Sequence, residues 1–272
     1  MRTRVVLVCP LASLALLLAS CGRSVDHAGT SHGPSQGSHG SVEQLSQPEY
    51  GPVARPVNPD PRVGAIFPDS GKMHSCTASV VHSKDGDLVL TAAHCLLGTL
   101  RASFVPGFSG DATPGDMWTV GEVYFDGRWL ANREPRADYA IARVSRADGG
   151  SVEARAGSAL SLGTAPAAGS RVTVTGYAAG VGGQPIGCQA STGVTTTGFP
   201  SLACDGLVGG TSGAPWVMGS TITGVIGGIE GGGCAESMSY SPPFDDHTAA
   251  LLARAEAGGP GDAAPRDFDD TC

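Results

Sequence analysis

Gly209-Gly210-Thr211-Ser212-Gly213-Ala214-Pro215-Trp216, with Thr91-Ala92-Ala93-His94-Cys95 and Asp138-Tyr139-Ala140-Ile141 upstream of it, decides the reading of this chain. A serine hydroxyl is a weak nucleophile until a base takes its proton and a carboxylate holds that base in the right tautomer. The strings supply one of each, in the order His94, Asp138, Ser212. Gly210 gives the backbone the freedom to aim its N–H at the same point as that of Ser212, and two such donors form an oxyanion hole. An imidazole titrates near neutral pH, so His94 can take a proton and return it. Among the nearby acids Asp111, Asp116, Asp126 and Asp138, the last is preferred because an apolar strand follows it at once, which lets it be buried. A Gly-Thr-Ser-Gly turn alone is common in a glycine-rich chain, but Ala-Pro-Trp after it and an acid 74 positions before it (138 to 212) make this one specific.

The 272 residues suffice for one large all-β domain or two small ones. Gly 41, Pro 19 and only 15% charged residues indicate short strands joined by tight turns rather than long amphipathic helices. A formal charge of −8, with no basic run, argues against a nucleic-acid partner. Strand patterns cover Arg62–Phe67, Ser75–His82, Asp87–Thr91, Met117–Phe125 and Asp138–Val144. After a loop at Ser145–Gly157 they resume at Arg171–Tyr177, Trp216–Met218 and Thr221–Ile226, and His247–Ala257 has helical spacing.

These strings and their order closely resemble the trypsin-like (chymotrypsin-fold) serine proteases over roughly Pro61 to Ala257. The compact spacing is similar to the bacterial secreted branch that includes the glutamyl endopeptidases. The resemblance implies an all-β fold of two antiparallel Greek-key β-barrels with a short C-terminal helix. It also implies a serine endopeptidase that acts on protein or peptide substrates through an acyl-enzyme, needs no cofactor or metal, and works as a monomer. Catalysis falls to His94, Asp138 and Ser212, with Gly210 and Ser212 as the oxyanion hole. An α/β-hydrolase esterase has the order Ser, Asp, His and a Gly-x-Ser-x-Gly elbow. Here the order differs and Ala214 replaces the last glycine. The non-enzyme alternative is a catalytically inert binding lipoprotein on the same fold.

One departure from the trypsin pattern is Thr211, where those enzymes usually carry an aspartate that pairs with a freshly cut N-terminal ammonium. Arg62-Val63-Gly64 also lacks the Ile-Val-Gly-Gly start, so an enzyme without that zymogen switch is expected. The resemblance places the specificity pocket around Asp205, Gly206, Leu207, Val225, Ile226 and Gly227. It carries no histidine of the kind that binds a carboxylate. An uncharged pocket for small or apolar side chains is expected, with recognition of Arg or Lys through Asp205 as the alternative.

The N-terminus reads as a targeting segment: Arg2 and Arg4, an apolar run Val5–Leu18, then Leu18-Ala19-Ser20-Cys21, which resembles a bacterial lipobox. The expectation is a signal peptide at 1–20, lipidation of Cys21, and a membrane contact made only through that lipid anchor on the outer cell surface. An ordinary cleaved secretion signal and an uncleaved anchor are the alternatives. Loss of Arg2 and Arg4 moves the charge from −8 to −10, so acyl chains, not headgroup attraction, must hold the protein. Residues 21–60, rich in Ser, Gly, His and Pro, read as a disordered tether of ~35 Å root-mean-square span, with His27, His32 and His39 solvated. Cleavage at Arg55 or Arg62 would release the domain. The protease domain is expected at 61–258 (first barrel 61–150, second 151–245, helix 247–257), followed by a tail at 259–272.

Of eight cysteines, Cys9 leaves with the signal and Cys21 takes lipid. The remaining six read as three disulfides in an exported chain. Cys76–Cys95 resembles the family's bridge beside the histidine. Cys188–Cys204 with Cys234–Cys272 is the expected completion, and Cys204–Cys234 across the pocket is the competing one.

Overall fold

The computed structural model describes residues 51–68, 73–98, 101–179 and 183–266. The signal segment, Cys21, most of the tether and Cys272 lie outside the described residues. Among the described residues no helix is long and apolar enough to cross a membrane.

In chain order the elements are β1 (Arg55–Pro56), β2 (Val63–Pro68), β3 (Cys76–Val81), β4 (Leu88–Thr91), β5 (Ala102–Pro106), β6 (Trp118–Phe125), α1 (Gly127–Asn132), β7 (Ala140–Ser145), α2 (Val152–Ala156), β8 (Ser161–Leu162), β9 (Arg171–Gly176), β10 (Ile186–Val194), β11 (Pro200–Ala203), β12 (Pro215–Met218), β13 (Thr221–Val225), β14 (Met238–Tyr240) and α3 (Asp246–Ala257). The protein is thus mostly β, with two barrel-like sheets and few helices.

The first sheet closes on itself in the order β2-β3-β4-β7-β6-β5. Closure explains why β3 and β4 are buried on both faces. Val80, Val89 and Ala142 fill the barrel with Phe104, Trp118 and Trp129. Their sequence neighbours Val81, Leu88, Leu90 and Ile141 point the other way, because side chains alternate along a strand. There they pack with Ile222 and Val225 of β13 and Leu251 and Ala255 of α3. That second cluster welds the two halves, and α3 lies across it. The helix is started by a capping box, Asp245 accepting from His247 N–H while Thr248 answers the Asp245 backbone.

The second sheet runs β14-β11-β10-β9-β12-β13-β8. Among the described residues its hydrogen-bonded path does not close, and β8 joins β13 in parallel, a departure from the expected all-antiparallel barrel. Val172 and Val174 of β9 turn inward beside Trp216 and Leu202, with polar residues alternating outward.

Three further differences have physical reasons. Residues 51–60, expected as the end of a disordered tether, are ordered. Arg55 and Pro56 pair with Gly187 and Ile186, and Ala54 N–H donates to Asp205 O at 2.7 Å while Asp205 N–H donates to Pro52 O at 2.9 Å. These are backbone bonds, which Pro-rich composition does not reveal. The Ser145–Gly157 loop contains α2, capped by Ser151 and ended by Gly157. The tail from Gly259 packs on the first barrel: Tyr124 hydroxyl donates to Gly259 O at 2.9 Å, Asp262 accepts from Phe125 N–H at 2.8 Å, and Gly98 N–H donates to Pro265 O at 2.9 Å.

Candidate active site

β4 delivers Thr91 and Ala92 into a short helical turn, Ala93–Leu96, that carries His94. The turn is fixed by a disulfide from Cys95 to Cys76 at the start of β3, with Cα atoms 6.0 Å apart. The chain between α1 and β7 carries Asp138 just ahead of β7, rather than inside the strand as the sequence pattern indicates. Its carboxylate has no solvent exposure. Oδ1 accepts the His94 backbone N–H at 2.9 Å, while Oδ2 accepts from His94 Nδ1 at 2.8 Å and from Gly228 N–H at 2.8 Å. These three donors engage both oxygens of the carboxylate. Because it can only accept, Nδ1 must be the protonated nitrogen, and Nε2 of a neutral His94 is left basic.

The other acids considered are committed elsewhere. Asp126 caps α1 and accepts from Arg128 and from Tyr139 hydroxyl. Burial pushes its pKa up, but the Arg128 and Tyr139 bonds prevail and hold it at about 2. Asp116 binds Thr113, and Asp111 is exposed.

Ser212 is half-buried on the loop leading into β12. Its carbonyl accepts Thr77 N–H at 2.8 Å, and the next residue donates to Ile226 O at 2.7 Å. A Cβ on Gly213 would lie 2.2 Å from Thr77 O and from Thr91 Oγ1, so only glycine lets this loop press against the strand that leads to His94. Gly210 has φ +93°, and a Cβ there would lie 2.3 Å from Ala179 N. Neither Gly210 N–H nor Ser212 N–H is bonded to an acceptor among the described residues, so two adjacent donors remain for a ligand oxygen. Thr211 keeps to its own turn, with N–H and hydroxyl both on Val208 O.

The expected pocket residues divide. Leu207, Val225, Ile226 and Gly227 are buried, whereas Asp205 is exposed and its backbone is occupied by Pro52 and Ala54. Its carboxylate faces water rather than a buried floor, which weakens the Arg/Lys alternative. Cys188 and Cys204 are bonded, with Cα atoms 6.7 Å apart, which removes the competing Cys204–Cys234 bridge. Cys234 is also disulfide-bonded, and its expected partner Cys272 is outside the described residues. The donor atoms of Cys76, His94 and Cys95 lie within 4.8 Å of one another. The disulfide consumes both sulfurs, leaving no thiolate to hold a metal.

Sequence reasoning missed Thr77, Ala179 and Gly228. Thr77 reaches Gly210 across 133 positions of sequence, and no local pattern signals such a contact.

The trypsin-like peptidase domain matches residues 76–227, more than half of the chain, and the chain belongs to that family. Its fold is similar to that of the protease Anisep from Arthrobacter nicotinovorans, at 23% identity and a TM-score of 0.66, covering 76% of this chain and 100% of that one. It is also similar to the thermostable serine protease AL20 from an extremophilic microorganism, at 21% identity and a TM-score of 0.64, covering 74% and 99%. Human heparin-binding protein matches at 18% identity with a TM-score of 0.59, covering 77% and 99%. No curated protein matches the chain in sequence.

Proposed function

We propose that the protein is an exported serine endopeptidase in which His94, Asp138 and Ser212 carry the reaction. The observation that supports this most is the buried Asp138 on His94 Nδ1, which leaves Nε2 to act as the base. Ser212 Oγ attacks the peptide carbonyl carbon as His94 Nε2 takes its proton. The resulting oxyanion is held by the N–H groups of Gly210 and Ser212. Collapse returns the proton from His94 to the leaving amine and leaves an acyl-enzyme. Water, deprotonated by the same imidazole, then releases the acid. The residues complete this cycle without a cofactor or metal. The exposure of Asp205 favours a pocket for uncharged side chains among Gly206, Leu207, Val225, Ile226 and Gly227. The disulfides fit an oxidising compartment. Export through the 1–20 signal, a lipid on Cys21 and a tether now ending near residue 50 complete the proposal, for a chain that acts as a monomer.

The alternative is an inert binding protein; human heparin-binding protein, by its name a binding protein, has a similar fold. Purified mature protein incubated with a peptide library separates the two. We expect cleavage with a defined residue preference, abolished in Ser212→Ala. Absence of cleavage by a folded, disulfide-intact sample would favour the binding protein.

A further inference from the structure

We propose that Thr77 is a positioning residue that holds the oxyanion hole open, doing with a neutral hydroxyl what a charged latch does in enzymes with an aspartate before the serine. The proposal rests on the protease reading above. Thr77 is fully buried in β3, one residue from the disulfide that fixes His94. It grips the serine loop twice: its hydroxyl donates to Gly210 O at 3.1 Å, and its backbone N–H donates to Ser212 O at 2.8 Å. The same hydroxyl accepts Tyr177 N–H at 2.9 Å, so both its donor and its acceptor functions are engaged. Its carbonyl accepts the Thr91 hydroxyl at 2.7 Å, tying the clamp back to the strand that leads to His94.

The consequence lies in peptide geometry. A trans peptide points its C=O and N–H in opposite directions. The Gly209–Gly210 peptide is set by Ala179 N–H donating to Gly209 O at 2.8 Å, which turns Gly210 N–H the other way. The next peptide is set by Thr77 on Gly210 O. Gly210 sits at φ +93° between these two anchors, a conformation glycine tolerates but does not enforce. With the Thr77 hydroxyl gone, Gly210 O and Tyr177 N–H both lose their partner in a buried site, and the loop gains a reason to rotate. Thr211 cannot substitute, since its hydroxyl is bonded to Val208 O.

The test compares Thr77→Val, which removes the hydroxyl, with Thr77→Ser, which keeps it. For the valine variant we expect kcat to fall about 10–100-fold with KM within about twofold, because the hole acts on the transition state. Affinity for a peptidyl boronate, whose tetrahedral adduct uses the same donors, falls by the same factor. The serine variant stays within about threefold of wild type. Thr192→Val removes a buried hydroxyl bonded to Ala167 O and to nothing in the serine loop, and it controls for lost stability alone. A folded Thr77→Val enzyme with wild-type kcat and boronate affinity overturns the proposal, as does an equal loss of kcat in Thr192→Val. If Thr77→Val does not fold, Thr77→Ala is read by the same criteria. Wild-type protein that neither turns over peptides nor captures the boronate at Ser212 brings down the protease reading and this proposal together. An active wild type with indifferent Thr77 variants brings down the proposal alone.

Discussion

The two halves of the molecule solve the same problem of rigidity in opposite ways. The first is a barrel closed through β2, β3, β4, β7, β6 and β5; it carries His94 on a disulfide-bonded turn and Asp138 just ahead of β7, and Gly228 of the second half adds one donor to Asp138. The second is a sheet whose ends do not join among the described residues; its serine loop is held from within by Ala179 and Ile226 and from outside by Thr77 of β3, while the Pro52–Val57 segment straps Asp205 and β10. The closed half carries the proposed base and its orienter as a pre-set pair, whereas part of the order of the open half is borrowed. Loss of a borrowed contact should therefore disturb the second half while leaving the first intact.

The largest expected effect is on the pre-set pair. Asp138→Asn keeps the shape but presents a donor to His94 Nδ1, which favours the wrong tautomer, and leaves Gly228 N–H without its buried acceptor; kcat should fall about 10⁴-fold and melting temperature should drop as well. Peptide hydrolysis and calorimetry check this. A loss under tenfold would mean that the Asp138–His94 bond is not what readies the base.

Next comes the outer strap. A chain beginning at residue 58 loses β1 and the bonds of Pro52 and Ala54 to Asp205, at a cost of about 2–3 kcal/mol, or roughly 5–10 °C in melting temperature. Hydrogen exchange should rise at Ile186, Gly187 and Asp205 and stay unchanged in β2–β7. Chains trimmed to any point before Pro52 should match the longer chain in activity per molecule, because no new N-terminal ammonium is needed. A large gain on trimming would contradict this. Cutting at Arg55, within β1, should weaken the domain rather than simply free it.

Replacing Cys188 and Cys204 together by Ala should cost about 2–3 kcal/mol, read in denaturant titrations, with Asp138 still on His94. The smallest effect is acidic. Asp126 is held near 2, below its unfolded value, so its contribution is complete above the ordinary carboxylate range and disappears as pH falls from about 4 to 2. Asp126→Asn should remove on the order of 1–2 kcal/mol at pH 7 and flatten that part of the stability curve.

What the sequence made legible follows the same division. β3, β4 and β7 are short apolar runs beside distinctive strings, so the closed half could be outlined from local pattern. β10, with its Gly, Ser and Thr, and β1, with a proline, carry little strand signal, and their place depends on backbone pairing with distant partners. The strings name His94, Asp138 and Ser212 as candidates and favour Asp138 over Asp126 by the apolar strand that follows it; that Asp138 bonds His94 while Asp126 bonds Arg128 and Tyr139 is seen only in the distances. Thr77, Ala179 and Gly228 are ordinary residues whose importance lies wholly in the bonds they make.

The most direct test is covalent labelling of the purified, disulfide-intact protein with a fluorophosphonate, with the adduct mapped by peptide mass spectrometry. A single adduct on Ser212, lost in Ser212→Ala and slowed by orders of magnitude in His94→Ala, is what we predict. A folded protein that takes no label, or takes it on another residue at a rate indifferent to His94, would contradict the account.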